Sequence, residues 1–271
     1  MKHVGLANGE HVPALGQGTW RMGERSRDRE REVAAVRAGI EAGLTLIDTA
    51  EMYGDGGAER IVGDAMGQRR DELFLVSKVF PHNASRAGVR AACEASLQRL
   101  GTGRLDLYLL HWRGGANLGE AVAGFEDLQH DGLIRHWGVS NFDAADLADL
   151  WEIPGGNACS VNQLLYHLGE RSIELDPLPW MRARGIPAMA YCPLGQRRLL
   201  EQRALGTFAE RNSITPAQAA LAWLQSHDDV IAIPKTSTPD RQAENRASAG
   251  ITLTQQQLAE LDRLFPRPRT Q

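Results

Sequence analysis

The chain alternates short strand-like runs with longer amphipathic runs, and the alternation occurs eight times. The strand-like runs are LGQGT, LTLID, ELFLVSK, LDLYLLH, LIRHWGVS, CSVNQ, IPAMAYC and VIAIPK. The hydrophobic period switches repeatedly between 2 and 3.6 residues, and such switching implies parallel strands joined by right-handed helical crossovers. Eight such units in 271 residues predict a closed (β/α)8 TIM barrel, an α/β fold that forms one domain over residues 1–271.

Three features fall outside the eightfold repeat. Asn8-Gly9, between His3 and Val12, is typical of a two-residue hairpin turn and predicts a small N-terminal β-hairpin. Thr215 and Thr254 are each followed three residues later by glutamine, as in a capping box. They predict two additional helices, one between 191 and 235 and one after the eighth unit.

Charge and cysteine content exclude several classes of protein. Thirty Lys and Arg residues against 34 Asp and Glu residues give a formal charge of −4, which does not favour nucleic acid or anionic lipid. Three cysteines without a CxxC spacing predict neither a disulfide framework nor a zinc site. No signal core or apolar run of about 18 residues is evident. We therefore expect a soluble cytoplasmic monomer without metal, nucleic-acid or membrane partners.

The predicted strands end in polar residues. In (β/α)8 barrels the loops at the carboxyl ends of the strands form the active site. The strand ends carry Gly18-Thr19-Trp20, Asp48, Ser77-Lys78, His111-Trp112, Ser140-Asn141, Asn162-Gln163, Tyr191 and Lys235-Thr236. Each residue alone is commonly a cap or a solvated side chain, but packing does not require all of them together.

An acid, a lysine and a histidine end three consecutive strands and predict a reactive centre. Asp48 is placed to hold Lys78 charged, and Lys78 is expected to lower the pKa of Tyr53, five residues after Asp48. His111 is placed to orient a substrate oxygen beside Tyr53. A proton donor and an oriented oxygen indicate carbonyl chemistry.

The chain lacks a nucleophile elbow, a zinc cluster and a Walker loop, so this chemistry implies a cofactor. Gly16-Gln17-Gly18-Thr19-Trp20-Arg21 lacks the third glycine of GxGxxG and begins too near the N-terminus to follow a βαβ unit. A dinucleotide would therefore bind elsewhere in the chain.

The ordered segments IDTAEMYG, SKV, LYLLHW, GVSNF, VNQLLYH, AYCPLGQ and IPKT…R..EN resemble the aldo-keto reductase family along essentially the whole chain. The resemblance is to short-loop bacterial members such as diketogluconate and methylglyoxal reductases. It implies NADPH-dependent carbonyl reduction by a catalytic tetrad of Asp48, Tyr53, Lys78 and His111. The family binds its nicotinamide cofactor without a Rossmann domain.

The resemblance also implies a cofactor site at the remaining strand ends. Ser140, Asn141 and Gln163 would hold the carboxamide, and Tyr191 would stack on the nicotinamide ring. The other implied cofactor residues are Thr19, Leu194, Lys235, Thr236, Arg241, Glu244 and Asn245. Lys235 and Arg241 near a helix start suit the 2′-phosphate of NADPH, and Glu244 and Asn245 would lie near adenine.

The expected substrates are small carbonyl compounds. Trp20, Phe80 and Trp112 are predicted to wall the substrate pocket. Short segments after His111 and between Tyr191 and a helix near Leu199 leave little chain to cover the mouth. Cys192, Arg113 and Leu168 differ from the commonest family pattern without touching the tetrad.

Two other classes stay open at this point. A Schiff-base lyase would use Lys78 as its nucleophile, and a noncatalytic redox sensor would bind NADPH to regulate a partner. The physiological substrate, the preferred direction, the oligomeric state and the strictness of NADPH over NADH do not follow from the sequence.

Overall fold

The computed structural model describes residues 1–268. Its strands are β1 His3–Gly5, β2 His11–Pro13, β3 Gln17–Gly18, β4 Leu46–Asp48, β5 Phe74–Val79, β6 Leu105–Leu110, β7 Ile134–Ser140, β8 Asn162–Leu165, β9 Ala188–Tyr191 and β10 Val230–Ala232. Its α-helices are α1 Arg29–Glu41, α2 Gly57–Met66, α3 Arg86–Leu100, α4 Leu118–His130, α5 Ala144–Trp151, α6 Leu178–Arg182, α7 Arg203–Arg211, α8 Pro216–Gln225, α9 Pro239–Ala247 and α10 Gln255–Leu264. Over this part of the chain, no helix is both long and apolar enough to span a bilayer.

Strands β3 to β10 form a parallel sheet in sequence order, and each pairs with the next. The two edges of this sheet, at β3 and β10, also meet and close the barrel. The amide of Gly16 donates to the Ala232 carbonyl at 2.9 Å, and that of Gly18 donates to the Pro234 carbonyl at 3.0 Å. The (β/α)8 prediction is confirmed.

Alternation along the strands separates two apolar cores. Outward-facing residues such as Ile47, Leu75 and Tyr108 pack beneath the helices. A second cluster fills the barrel interior and comprises Val4, Leu6, Val12, Ala14, Leu46, Phe74, Val76, Leu107, Leu109, Val161, Met189, Ile231 and Ile233. This packed interior supports the polar residues at the carboxyl ends of the strands.

The period of two explains which polar residues enter the barrel. Asp48 lies two residues beyond interior Leu46, Lys78 two beyond Val76, and His111 two beyond Leu109. Gln163, Tyr191 and Lys235 follow Val161, Met189 and Ile233 in the same way. Inward-facing apolar layers therefore give way to one inward-facing polar layer at the top of the barrel.

The predicted N-terminal hairpin is present, but its turn is longer than expected. The Leu6 amide donates to the Glu10 carbonyl at 2.7 Å, which leaves residues 7–9 as a three-residue loop. Gly9 adopts φ +87°, the left-handed conformation that such a loop requires. The hairpin contributes Val4, Leu6 and Val12 to the interior core. It closes the amino-terminal end of the barrel, opposite the carboxyl ends of the strands.

Both predicted capping boxes are formed, at Thr215 and at Thr254. The helix that begins at Pro216 contacts β10 and α9, so it is the barrel helix of the seventh unit. The additional helix of this interval is instead α7, which begins at Arg203 rather than near Leu199. Together with α10, it completes the expected pair of extra helices.

Candidate active site

The centre of the site is a buried ion pair beneath a tyrosine. Lys78 Nζ lies 2.8 Å from Asp48 Oδ1 and donates to the Thr49 carbonyl at 2.9 Å. It also donates to the Tyr53 hydroxyl at 3.1 Å. Lys78 is 0% exposed and Asp48 is 2% exposed, so the contact takes place away from water. The relay from Asp48 through Lys78 to Tyr53 has the expected geometry.

The protonation of this relay differs in one respect from the sequence prediction. Burial lowers the pKa of Lys78, but Asp48 and Tyr53 together outweigh burial and raise it above its ordinary value. The ammonium form is therefore favoured. Burial raises the pKa of Tyr53 and outweighs the lowering by Lys78, so the net direction is upward. The predicted net lowering is wrong, and Tyr53 remains a neutral phenol at neutral pH.

His111 faces Tyr53 from the next strand end, with ring centroids 5.8 Å apart. Burial, assisted by the Lys78 ammonium, lowers the pKa of His111 to about 3. The ring is therefore neutral near pH 7. Its buried Nδ1 has no hydrogen-bond partner within residues 1–268, and a buried nitrogen without an acceptor beside it also disfavours the charged ring.

Asp48, Tyr53 and His111 line a cavity of about 300 Å³, and Lys78 lies beneath it. Trp20 and Trp112, predicted as substrate residues, stand at its mouth and are each 36% exposed. Phe80 does not line the cavity; its ring packs edge-on against Trp112 with centroids 5.5 Å apart. Met52 also lines the cavity, although no motif in the sequence pointed to it.

The residues expected at the nicotinamide end stand together on the opposite wall. Ser140, Asn141, Gln163 and Tyr191 all line the cavity. The Tyr191 hydroxyl donates to Asn141 Oδ1 at 2.9 Å, and Asn141 Nδ2 donates to Ser140 Oγ at 3.1 Å. Gln163 Nε2 donates to Asp48 Oδ1 at 2.7 Å, so this wall is hydrogen-bonded directly to the ion pair.

A second cavity of about 620 Å³ adjoins the first, and the two share Trp20, Cys192, Gln196 and Lys235. We call it the channel. It is lined by the remaining expected cofactor residues, Leu194, Lys235, Thr236, Arg241, Glu244 and Asn245. Thr19 lines neither cavity; it is fully buried, and its hydroxyl donates to the Asp48 carbonyl at 2.9 Å.

The channel passes the start of helix α9. Thr238 is the N-cap and Pro239 the first helical residue, as predicted, but the Thr238 side chain makes no capping hydrogen bond. The first amides of this helix thus lack a side-chain acceptor in a place where anions bind readily. Burial lowers the pKa of Lys235, whose ammonium donates to Ser237 Oγ at 2.7 Å.

Three further arginines line the channel without having been predicted there: Arg21, Arg31 and Arg197. Arg21 has φ +63°, and its guanidinium lies over the Trp20 ring at 4.5 Å from the centroid. The resemblance pointed only to residues at motif positions, whereas Arg21 and Arg197 come from the segments that follow two strands and Arg31 comes from the first turn of α1. Within residues 1–268, no group of three metal-ligating side chains is found.

Comparison with known proteins identifies the family to which this site belongs. The model of the aldo/keto reductase family matches residues 14–265. This chain belongs to the aldo/keto reductase family. It is therefore an oxidoreductase that acts on carbonyl compounds, and the expectation drawn from the motifs is confirmed at this level.

Two relatives and one solved structure give the similarity its scale. Methylglyoxal reductase YeaE of Escherichia coli is 50% identical over 273 residues, covering 99% of this chain and 96% of the relative. Glyoxal reductase of Bacillus subtilis is 33% identical over 261 residues, covering 96% and 92%. The crystal structure of an aldo-keto reductase from Klebsiella pneumoniae in complex with NADPH is 49% identical and covers 99% of this chain and 96% of that one, with a TM-score of 0.96.

Proposed function

We propose that this enzyme uses NADPH to reduce small aldehydes and ketones, α-oxoaldehydes such as methylglyoxal in particular, with Tyr53 as the proton donor. The observation that carries the proposal is the 3.1 Å contact between the Lys78 ammonium and the Tyr53 hydroxyl, at the floor of a cavity that His111 also lines. The relatives named methylglyoxal reductase and glyoxal reductase support the choice of substrate.

The residues present fit NADPH. The two adjoining cavities offer amide and hydroxyl groups at one end and cationic groups beside an uncapped helix start at the other. Ser140, Asn141 and Gln163 would hold the carboxamide, and Tyr191 would stack on the nicotinamide. When bound, NADPH supplies a hydride from C4 of that ring.

The other end of the channel suits the adenosine 2′-phosphate. Lys235 and Arg241 would bind this phosphate, while Glu244 and Asn245 would lie near adenine. Leu194 and Thr236 complete this wall of the channel. The Klebsiella pneumoniae aldo-keto reductase, whose crystal structure contains NADPH and has a TM-score of 0.96 to this chain, supports this choice of cofactor.

The charges at the floor of the catalytic cavity explain how the proton is transferred. We use floor for the Tyr53 hydroxyl and the Lys78–Asp48 ion pair beneath it. The substrate carbonyl oxygen would bind between the Tyr53 hydroxyl and the neutral His111 ring. Tyr53 gives its proton to the oxygen as negative charge develops there, and the Lys78 ammonium stabilises the phenolate that remains. Asp48 keeps Lys78 charged in surroundings that would otherwise favour the neutral amine.

The shape of the mouth favours small substrates. The catalytic cavity is about 300 Å³, and two tryptophans that each remain 36% exposed stand at its entrance. A bulky substrate would extend past these tryptophans out of a cavity of this size, so it would gain little contact area. Because each apolar contact adds only about 1–3 kcal/mol of selectivity, discrimination among small carbonyls should be weak.

The burial and charge of Lys78 disfavour the alternative function as a Schiff-base lyase. A lysine nucleophile must reach its substrate as the neutral amine. Lys78 is fully buried below Tyr53, and its pKa is raised, so it is an ammonium without access to the cavity. The noncatalytic redox sensor differs from the reductase in having no steady-state turnover.

A panel assay tests the proposal. NADPH absorbance is followed with purified enzyme and methylglyoxal, glyoxal, simple aldehydes, keto esters, keto sugars and a steroid ketone. We expect oxidation of NADPH with the small carbonyls at high KM. Micromolar KM for the steroid with no activity on small aldehydes would contradict the proposed substrate class, and no turnover with any carbonyl would contradict the reductase itself.

A further inference from the structure

Glu51 connects two loops of the site that the proposed mechanism treats separately. It lies two residues before Tyr53, in the segment between β4 and α2. The backbone amide of Phe80 donates to Glu51 Oε1 at 2.7 Å, and Asn83 Nδ2 donates to the same oxygen at 3.2 Å. The carboxylate therefore ties the loop of the proton donor to the loop that follows Lys78.

The Phe80 ring links this hydrogen-bonded loop to His111 and Trp112, which line the cavity. Its centroid lies 6.3 Å from the His111 ring and 5.5 Å from the Trp112 ring, which it meets edge-on. Phe80 thus stands behind the two residues that face the substrate, rather than at the cavity itself. A displacement of its backbone would remove the support beneath both rings.

We infer that Glu51 is a positioning residue for carbonyl reduction. It holds Phe80 so that His111 and Trp112 keep their places opposite Tyr53, and this role rests on the proposed function. Glu51 is half-buried and lies outside helices and strands. Its two hydrogen bonds lead to the next βα loop, so its structural effect is concentrated at the mouth of the barrel.

Two substitutions separate the hydrogen bonds that Glu51 accepts from its charge. Glu51→Gln keeps a carbonyl oxygen for the Phe80 amide and for Asn83, whereas Glu51→Ala removes the acceptor. A hydrogen bond to a charged group contributes about 1.5–3 kcal/mol, so loss of the acceptor is expected to lower kcat/KM for methylglyoxal by about tenfold or more. The glutamine variant should recover most of this loss, and the Kd for NADPH should stay within about twofold in both variants.

A double-mutant cycle shows whether Glu51 acts through Phe80. Phe80→Ala is combined with Glu51→Ala, and kcat and KM are measured for all four proteins with methylglyoxal. If Phe80 transmits the effect, Glu51→Ala should change kcat/KM less than about twofold in the Phe80→Ala background, because contacting residues are not additive. Asn83→Ala, which removes only the longer hydrogen bond, serves as the matched control and should have a smaller effect than Glu51→Ala.

The outcomes separate this inference from the proposed function. Equal kcat/KM for wild type and Glu51→Ala, equal damage in the alanine and glutamine variants, or strict additivity with Phe80→Ala would each overturn it. Absence of carbonyl-dependent NADPH oxidation in the wild type would overturn the proposed function first. If Glu51→Ala does not fold, the same cycle is run with Glu51→Asp, which withdraws the carboxylate by one methylene.

Discussion

Lys78 at the floor of the catalytic cavity donates three hydrogen bonds within the protein. Arg241 in the channel is exposed, and its guanidinium makes no ion pair or hydrogen bond among residues 1–268. Fully buried charges must have partners before any ligand arrives, because an isolated charge in the barrel would be neutralised. The exposed guanidinium of Arg241 is solvated and stays available for a ligand. The comparison suggests that the floor is built for chemistry and the channel for recognition.

The largest expected effect on turnover comes from removing the Lys78 ammonium at the floor of the catalytic cavity. Lys78→Met keeps the length of the side chain but leaves the Tyr53 phenolate without its ammonium. Turnover of methylglyoxal should fall by roughly 10²–10⁴-fold, the usual contribution of a positioned acid. The readout is kcat at saturating NADPH, together with the Kd for NADPH from fluorescence quenching, which should change little.

A double variant controls for damage to the fold. Lys78→Met alone leaves Asp48 buried without its ion-pair partner, which is expected to cost about 3–5 kcal/mol of unfolding free energy. Asp48→Asn with Lys78→Met removes both charges and should unfold at a higher temperature than Lys78→Met alone. Restored stability with restored turnover would contradict a chemical role for the lysine.

A smaller and selective effect is expected in the channel. Arg241→Ala should weaken NADPH binding by roughly 10- to 150-fold, because a charge-assisted contact to phosphate contributes about 1.5–3 kcal/mol. NADH lacks this phosphate, so its Kd should change little. Isothermal titration with both cofactors measures the two effects directly.

Arg246→Ala is the matched control for this measurement. Arg246 lies on the same helix, but its guanidinium donates to the Ala42 carbonyl at 2.9 Å and does not line the channel. The ratio of the Kd values for NADH and NADPH should be unchanged by this substitution. If Arg241→Ala weakened both cofactors equally, Arg241 would not recognise the phosphate.

The smallest expected effect is that of pH. His111 has a pKa of about 3 because burial and the Lys78 ammonium oppose its protonated form. A lowered pKa means that His111 gains a proton only as the pH falls toward that value. Since the pKa of Tyr53 is raised, the acid also stays protonated past its ordinary value of about 10. At saturating NADPH, kcat should therefore vary little between about pH 5 and pH 9. A unit-slope limb near pH 6–7 that disappears in His111→Asn would show that His111 titrates in this range.

The sequence predicted the residues at the floor of the cavity better than those at its mouth. The two-residue period of the strands explains this difference. Asp48, Lys78 and His111 each occupy the next inward-facing position after an apolar interior residue. Alternation and strand order therefore suffice to bring them together. The hydrophobic cores of the barrel follow from the same pattern.

Residues beyond the strand ends do not follow that rule. Phe80 was expected at the substrate but stands behind Trp112, and its backbone amide is bound by Glu51 from another loop. Met52 and Arg21 reach the cavities through loop conformations that no local pattern specifies. The net pKa of Tyr53 also depends on burial, which was not apparent from its distance to Lys78 along the chain.

Tyr53 is expected to supply the proton, and cofactor binding in the channel is expected not to depend on its hydroxyl. Tyr53→Phe removes the hydroxyl and keeps the ring, so a single-turnover measurement with enzyme in excess over NADPH and with saturating methylglyoxal tests this directly. We expect the rate of NADPH oxidation to fall at least about 100-fold, with the Kd for NADPH unchanged within about twofold. A near-normal rate in this variant would contradict the assignment of Tyr53 as the acid, and a large loss of NADPH affinity would contradict the separation of floor and channel.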